Sequence, residues 1–147
     1  MICLPAECEA YIKQAGEAAY PNECCGILVG TVRGIGVKAV DRLVPVRNAF
    51  GAEEQYHRFQ IEADDLFKAE QESRKLRKEV VGFYHSHPDH AASPSDFDRT
   101  RAFPFYSYII VAVGKGQAND MTSWELAADW SRFEPEEIER APEDSRG

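Results

Sequence analysis

The sequence predicts an α+β fold, one domain in which helices pack against a single mixed β-sheet. Three observations lead there. Two stretches repeat apolar residues at helical spacing, and several short runs rich in Val, Ile, Leu and aromatic residues read as strands. The two kinds interleave along the chain with no internal repeat and no low-complexity block. With 147 residues and 44% hydrophobic content the chain buries about two thirds of its extended surface as one unit, so no second domain is required.

The elements follow in order. Within residues 5–20, Cys8, Tyr11, Ile12, Ala15 and Ala19 recur at helical spacing and Pro21 is the stop, so an amphipathic helix comes first. Residues 23–32 form a strand, and Gly34 with Gly36 turns the chain into a second strand through Val46, making a hairpin. Residues 47–57 are polar and irregular, the longest loop. From 62 to 78 acids gather at the front and Arg74, Lys75, Arg77 and Lys78 at the back, which complements a helix dipole. Ala63, Leu66, Phe67, Ala69 and Leu76 supply that helix's inner stripe. Residues 80–84 read as a short apolar strand, Ser95 opens a short helix, and 106–113 is a near-continuous apolar run suited to a strand buried on both faces. A loop at 114–120 and one or two strands around Trp124 and Leu126 complete a domain spanning 1–133.

Charge and cysteine usage bound the function. Lys plus Arg is 17 against 25 for Asp plus Glu, a net charge of −8. Residues 134–147 hold six acids and two arginines, so half of that imbalance lies in what reads as an acidic, solvated and mobile tail. An acidic chain without a basic cluster argues against a nucleic-acid partner. Residues 1–16 have no basic start followed by an apolar core, and no apolar run approaches the ~18 residues a membrane span needs, so a cytoplasmic protein is expected. Cys3, Cys8, Cys24 and Cys25 read as thiols: adjacent Cys24 and Cys25 cannot form an ordinary disulfide, and the spacings do not suit a four-cysteine zinc site.

The chemistry concentrates in Tyr84-His85-Ser86-His87-Pro88 and Pro94-Ser95-Asp96-Phe97-Asp98. Successive strand residues point to opposite faces, so His85 and His87 project to the same side about 6 to 7 Å apart along the chain, while Ser86 faces the other way in a structural role. Pro88 ends the ladder. Ser95 is placed to cap the next helix with Asp98 one turn in, on a face that can look back at the histidines. Each half has an ordinary reading, a capping pattern and a pair of solvated histidines. Together they describe three ligands for one divalent ion, with an open fourth position of the kind catalytic zinc sites keep. Such a site calls for a non-ligating acid to move protons, and Glu23 stands out among the carboxylates because it opens an apolar strand, with an ordinary exposed strand-edge acid as its alternative reading. His90 reads as an exposed loop histidine, His57 has no spacing relation to the site, and Asn48 reads as a loop residue making local turn bonds, with contact to substrate backbone as its functional alternative.

Glu23, then His85-Ser86-His87-Pro88, then six residues and Ser95-x-x-Asp98 resembles the motif of the JAMM/MPN+ metalloproteases, the Mov34/JAB-domain family, in its small stand-alone prokaryotic form. Pro21-Asn22-Glu23-Cys24-Cys25-Gly26 is similar to the family's segment around its catalytic Glu, and the likeness runs from residue 5 to about residue 129. The resemblance implies a JAB/MPN-like fold and a zinc peptidase or isopeptidase with one Zn2+ per chain. It assigns His85, His87 and Asp98 as metal ligands, Glu23 as base and proton shuttle, and Ser95 as the group that stabilises the oxyanion. It implies ubiquitin-like or sulfur-carrier protein substrates, attacked at a flexible C-terminal Gly-Gly tail that could add alongside a free strand edge. Only residues 99–105 separate Asp98 from the next strand, which leaves no room for the long insertion of the deubiquitinating members and favours a small carrier-protein adduct. The alternatives are a scaffold domain of the same fold that binds without turnover, and a zinc peptidase acting on unrelated small amides.

Overall fold

The computed structural model describes residues 1–140. In chain order the elements are β1 (Ile2–Leu4), α1 (Ala6–Ala19), β2 (Cys25–Arg33), β3 (Val37–Val46), a 3-10 turn (Ala52–Glu54), α2 (Ala63–Lys75), β4 (Glu79–Pro88), α3 (Asp96–Arg101), β5 (Ser107–Gly114), β6 (Gln117–Leu126), β7 (Phe133–Glu136) and β8 (Ile138–Arg140). The strands form one eight-stranded sheet in the order β7-β6-β5-β4-β2-β3-β1-β8. It is mixed, as expected: β4 and β5 run parallel, as do β1 and its neighbours β3 and β8, and the remaining pairs are antiparallel.

The helices lie on the sheet through narrower stripes than the sequence suggests. Cys8, Ile12 and Gly16 form the buried line of α1, while Tyr11 faces solvent. Gly16 is what lets the helix approach, because a Cβ there would stand 2.9 Å from Val113 Cγ2. In α2 the buried pair is Ala69 and Ser73, and Phe67 and Leu76 of the expected stripe are exposed. This helix stops at Lys75 rather than at 78, because Arg77 turns into the left-handed region (φ 58°) and Lys78 N–H closes back on Ser73 O at 2.8 Å. Alternation along β5 separates the two faces: Ile109, Val111 and Val113 join the α1 core, whereas Ile110 and Ala112 pack with Ala92 on the other side.

Two expectations are corrected and one strand is added. The loop expected at 114–120 is a two-residue turn, Lys115-Gly116, with both residues at positive φ and β6 beginning at Gln117. β1 is a short strand that the sequence pattern does not announce. The tail expected from residue 134 is built into the sheet through residue 140: β7 pairs with β6, and β8 pairs with β1. The physical reason is edge pairing. β7 and β8 are consecutive, with Glu137 between them, yet they bond to opposite ends of the strand order, so the sheet curls until its two edges meet along residues 133–140. Ile2 N–H bonds to Glu137 O at 2.9 Å at the seam, and Glu136 beside it accepts from Ser123 at 2.8 Å. Residues 141–147 of the expected tail lie outside the described residues.

Candidate metal centre

β4 and α3 bring the three expected ligands together. His85 and His87 pair in register with Ile110 and Ala112 of β5, on the face turned away from α1. Ser95 caps α3 through a reciprocal pair: its Oγ accepts from Asp98 N–H and Asp98 Oδ2 accepts from Ser95 N–H, each at 3.0 Å. The cap fixes the Asp98 carboxylate against the strand. His85 Nε2 and His87 Nε2 lie 3.2 Å apart, and Asp98 Oδ2 lies 3.2 and 3.1 Å from them.

This near-equilateral triangle has a specific chemical meaning. Ligand atoms at tetrahedral corners about 2.0 Å from a zinc ion stand about 3.3 Å from one another, close to the observed edges. Protons alone satisfy the triangle poorly, because His87 Nδ1 lies 2.9 Å from Ala91 O and in the neutral ring donates to it, leaving the Nε2 lone pair aimed at the centre. The donor set therefore fits a divalent cation. Burial pushes His85 down and keeps that ring neutral. His87 feels the same burial, yet the Asp98 carboxylate and the Ala91 carbonyl hold it above the ordinary histidine value, so a proton competes with a cation there. Burial opposes ionisation of Asp98 as well, but contact with both histidines and the Ser95 N–H holds it well below the usual carboxylate range. His85 Nδ1 is buried without a partner, and the ring is fixed by stacking on Phe59 at 4.3 Å between centroids.

Glu23 is 5% exposed, and its Oε1 has no hydrogen-bond partner. Burial raises its carboxyl to about 8, with the His87 charge drawing it down and the Asp98 charge pushing it up. Strand register places it: Cys25 pairs with His85 and Ser86 N–H donates to Cys24 O at 3.2 Å, so the chain at Glu23 runs beside His87. Its backbone is clamped: Glu23 N–H donates to Gln55 O at 2.7 Å, and Glu23 O accepts from Asn48 Nδ2 at 3.2 Å. Ser86 Oγ accepts from the next amide, Cys24 N–H, at 2.8 Å, so the serine between the histidines ties the two halves of the site together.

Asn48 makes the local turn bond expected of it, its Oδ1 accepting from Phe50 N–H at 3.0 Å, and does more than that. It is 8% exposed and uses all its hydrogen-bonding capacity. Nδ2 donates to Glu23 O and Arg58 O, and Oδ1 accepts from Phe50 and Gln60 N–H, so one amide stitches residues 48–60 to Glu23. Phe59, also absent from the expected set, sits in that stitched segment. An Asn in a polar loop gives no signal of either role. His57 pairs with Glu54 at 3.0 Å and His90 is exposed, neither among the clustered ligands. The four thiols are free, and burial raises Cys8 to about 11 and Cys25 to about 12, which leaves both unreactive. No helix among the described residues is long and apolar enough to cross a membrane.

Comparison with known proteins bears on this arrangement. A family model described as prokaryotic homologues of the JAB domain matches residues 5–127. The desampylase of Haloferax volcanii is 33% identical over 108 residues, covering 72% of this chain and 74% of that protein. A protein of Desulfitobacterium hafniense solved in solution superposes with a TM-score of 0.82 at 28% identity, covering 96% of this chain and 93% of its own. The structure described as JAMM, a metalloprotease-like zinc site in the proteasome and signalosome, superposes with a TM-score of 0.57 over 97% of this chain and 98% of that one. At 19% identity this last likeness is one of fold.

Proposed function

The chain belongs to the family of prokaryotic homologues of the JAB domain, and on that premise we propose that it is a zinc-dependent hydrolase of peptide or isopeptide bonds. We infer further that it acts at the C-terminal Gly-Gly tail of a ubiquitin-like or sulfur-carrier protein. One observation carries the reading: three donor atoms lie 3.1 to 3.2 Å apart, and the neighbouring strand is entered through Glu23, whose buried Oε1 has no partner of its own. Likeness to a desampylase supports the protein class of the substrate.

In this reading His85 and His87 hold the ion through Nε2 and Asp98 holds it through Oδ2. Zinc bound there supplies a polarised carbonyl and water that ionises near neutrality. Glu23 takes a proton from the attacking water and delivers it to the departing amine. Burial raises its carboxyl to about 8 in the metal-free protein, and the positive charge of a bound dication would favour the carboxylate form that accepts the proton. Ser95 Oγ already accepts from Asp98 N–H, so its own hydroxyl proton remains to be donated to the oxyanion that develops on the scissile carbonyl. The backbone clamps from Gln55, Asn48 and Ser86 orient Glu23 and its neighbour.

Metal analysis of protein purified without chelator is expected to find about one zinc per chain. Glu23→Gln is expected to keep that zinc and lose on the order of 100-fold or more activity on a carrier-protein conjugate. Full hydrolysis by the zinc-loaded variant would remove Glu23 from the mechanism.

A further inference from the structure

A cavity of about 560 Å³ opens directly off the metal centre, with His85 and Asp98 in one wall. The lining beside them, two residues along the same sheet face, is aromatic. Phe83 packs on Tyr106 and Tyr108, with centroids 5.3 and 5.7 Å away, and Phe133 sits edge-on to Tyr108 at 5.7 Å. A Gly-Gly tail has no side chain to place in such a space, so the cavity answers to the group on the other side of the scissile bond.

One charge in the lining says which group. Arg101 stands three residues after Asp98 at the end of α3, hence on the same helical face. It lines the cavity and forms no ion pair among the described residues; its guanidinium rests over Phe97, 4.9 Å from the centroid. The only carboxylate in the lining is Asp98, which faces the histidines. An unpaired guanidinium at the mouth of an apolar cavity complements a ligand that is apolar at one end and anionic at the other. Next to a scissile amide, a free carboxylate exists on the leaving side, where the amine belongs to a terminal residue.

Building on the hydrolase reading, we propose that this cavity is the leaving-group subsite for a single aromatic or large aliphatic amino acid. Its side chain lies among Phe83, Tyr106 and Tyr108, and its free α-carboxylate pairs with Arg101. The enzyme then trims one apolar residue from beyond the glycine. The amide C–N bond breaks, the water oxygen stays with the glycine carboxylate, and both water protons end on the released amine, giving one carboxylate and one ammonium. Arg101 sets which leaving group is accepted and takes no part in the proton transfers.

The test combines binding and turnover on the zinc-loaded full chain. In an NMR titration L-phenylalanine is expected to shift the resonances of Phe83 and Tyr108, with phenylalaninamide and glycine at least about tenfold weaker. Arg101→Gln should cost about tenfold in phenylalanine affinity and abolish the preference for acid over amide, and Arg101→Lys should restore part of it. Carrier protein ending in Gly-Gly-Phe should be cleaved faster than the same protein ending in Gly-Gly-Phe-amide, read by intact mass. Equal binding of acid and amide, binding of neither, or a preference that survives Arg101→Gln would overturn the subsite. Hydrolysis without leaving-group preference would overturn it while leaving the hydrolase reading in place. Selective binding with no hydrolysis of any conjugate would do the reverse.

Discussion

Glu23 is the residue whose environment departs most from what its chemistry favours. A carboxylate at 5% exposure with an orphaned oxygen is costly to ionise, and that cost is what raises its proton affinity to about 8. The sign for stability follows directly. In metal-free protein the folded state keeps the Glu23 proton between pH 4.5, the ordinary value, and about 8, while the unfolded state has released it. Stability from this group is therefore fully present below pH 4.5 and is lost as pH rises through 8. Urea midpoints of chelator-treated protein should fall across that window more steeply for the native chain than for Glu23→Gln. Parallel profiles would show that burial is not what perturbs this group. The residues around Glu23 divide by legibility. His85, His87 and Asp98 are readable because an alternating strand and one helix cap, both local rules, place them within fourteen positions of one another. Asn48 and Phe59 are not, because their partners are set by how residues 47–62 fold over the strand.

At the scale of the element, α3 links folding to the donor cluster, which on the proposed reading holds zinc. Its six residues are too few for a helix that stands on propensity, so the reciprocal cap between Ser95 and Asp98 holds it in place. Ser95→Ala should cost about 1 kcal/mol of stability. The same change frees the Asp98 carboxylate to turn and should weaken zinc affinity in a competition titration with a chelating dye, whereas Ser95→Thr should keep both. An alanine variant with native zinc affinity would separate the cap from the metal site. The other elements were legible in type and less so in extent. Helix and strand periods locate α1, α2 and β2 to β6, but the inner faces differ from the apolar pattern where a small residue carries the contact. Gly16 and Ser73 are buried, while the larger Tyr11 and Phe67 lie outside, because close approach to the sheet rewards small side chains.

Across the whole molecule, closure of the sheet on itself sets the arrangement. Lys38 of β3 reaches through the interior, 2% exposed, to Ser107 of β5 at 2.9 Å and Glu125 of β6 at 2.7 Å. Strands three and four places apart in the sheet order are thereby joined by one side chain. Removing one partner leaves a buried charge, whereas replacing the Lys by an apolar chain of similar length removes the charge and keeps the packing. Glu125→Ala should therefore destabilise by about 2 kcal/mol, tempered by the partial exposure of Glu125, and more than Lys38→Met does. Denaturant unfolding of the two variants and their combination measures it. Equal losses would mean that the ammonium finds water in the folded state.

By itself the sequence determined the class of fold, the identity of the three clustered donors and, through its family resemblance, the acid beside them. Those features follow from periodicity and from motifs whose members are close in the chain or fixed in kind. Tertiary structure alone decided that residues 133–140 close the sheet, that Asn48 and Ser86 clamp the Glu23 segment, and that an aromatic cavity with an Arg forming no ion pair among the described residues adjoins the His85, His87 and Asp98 cluster. Each of these joins residues from strands and loops far apart in sequence, and their meeting depends on the curl and register of the whole sheet.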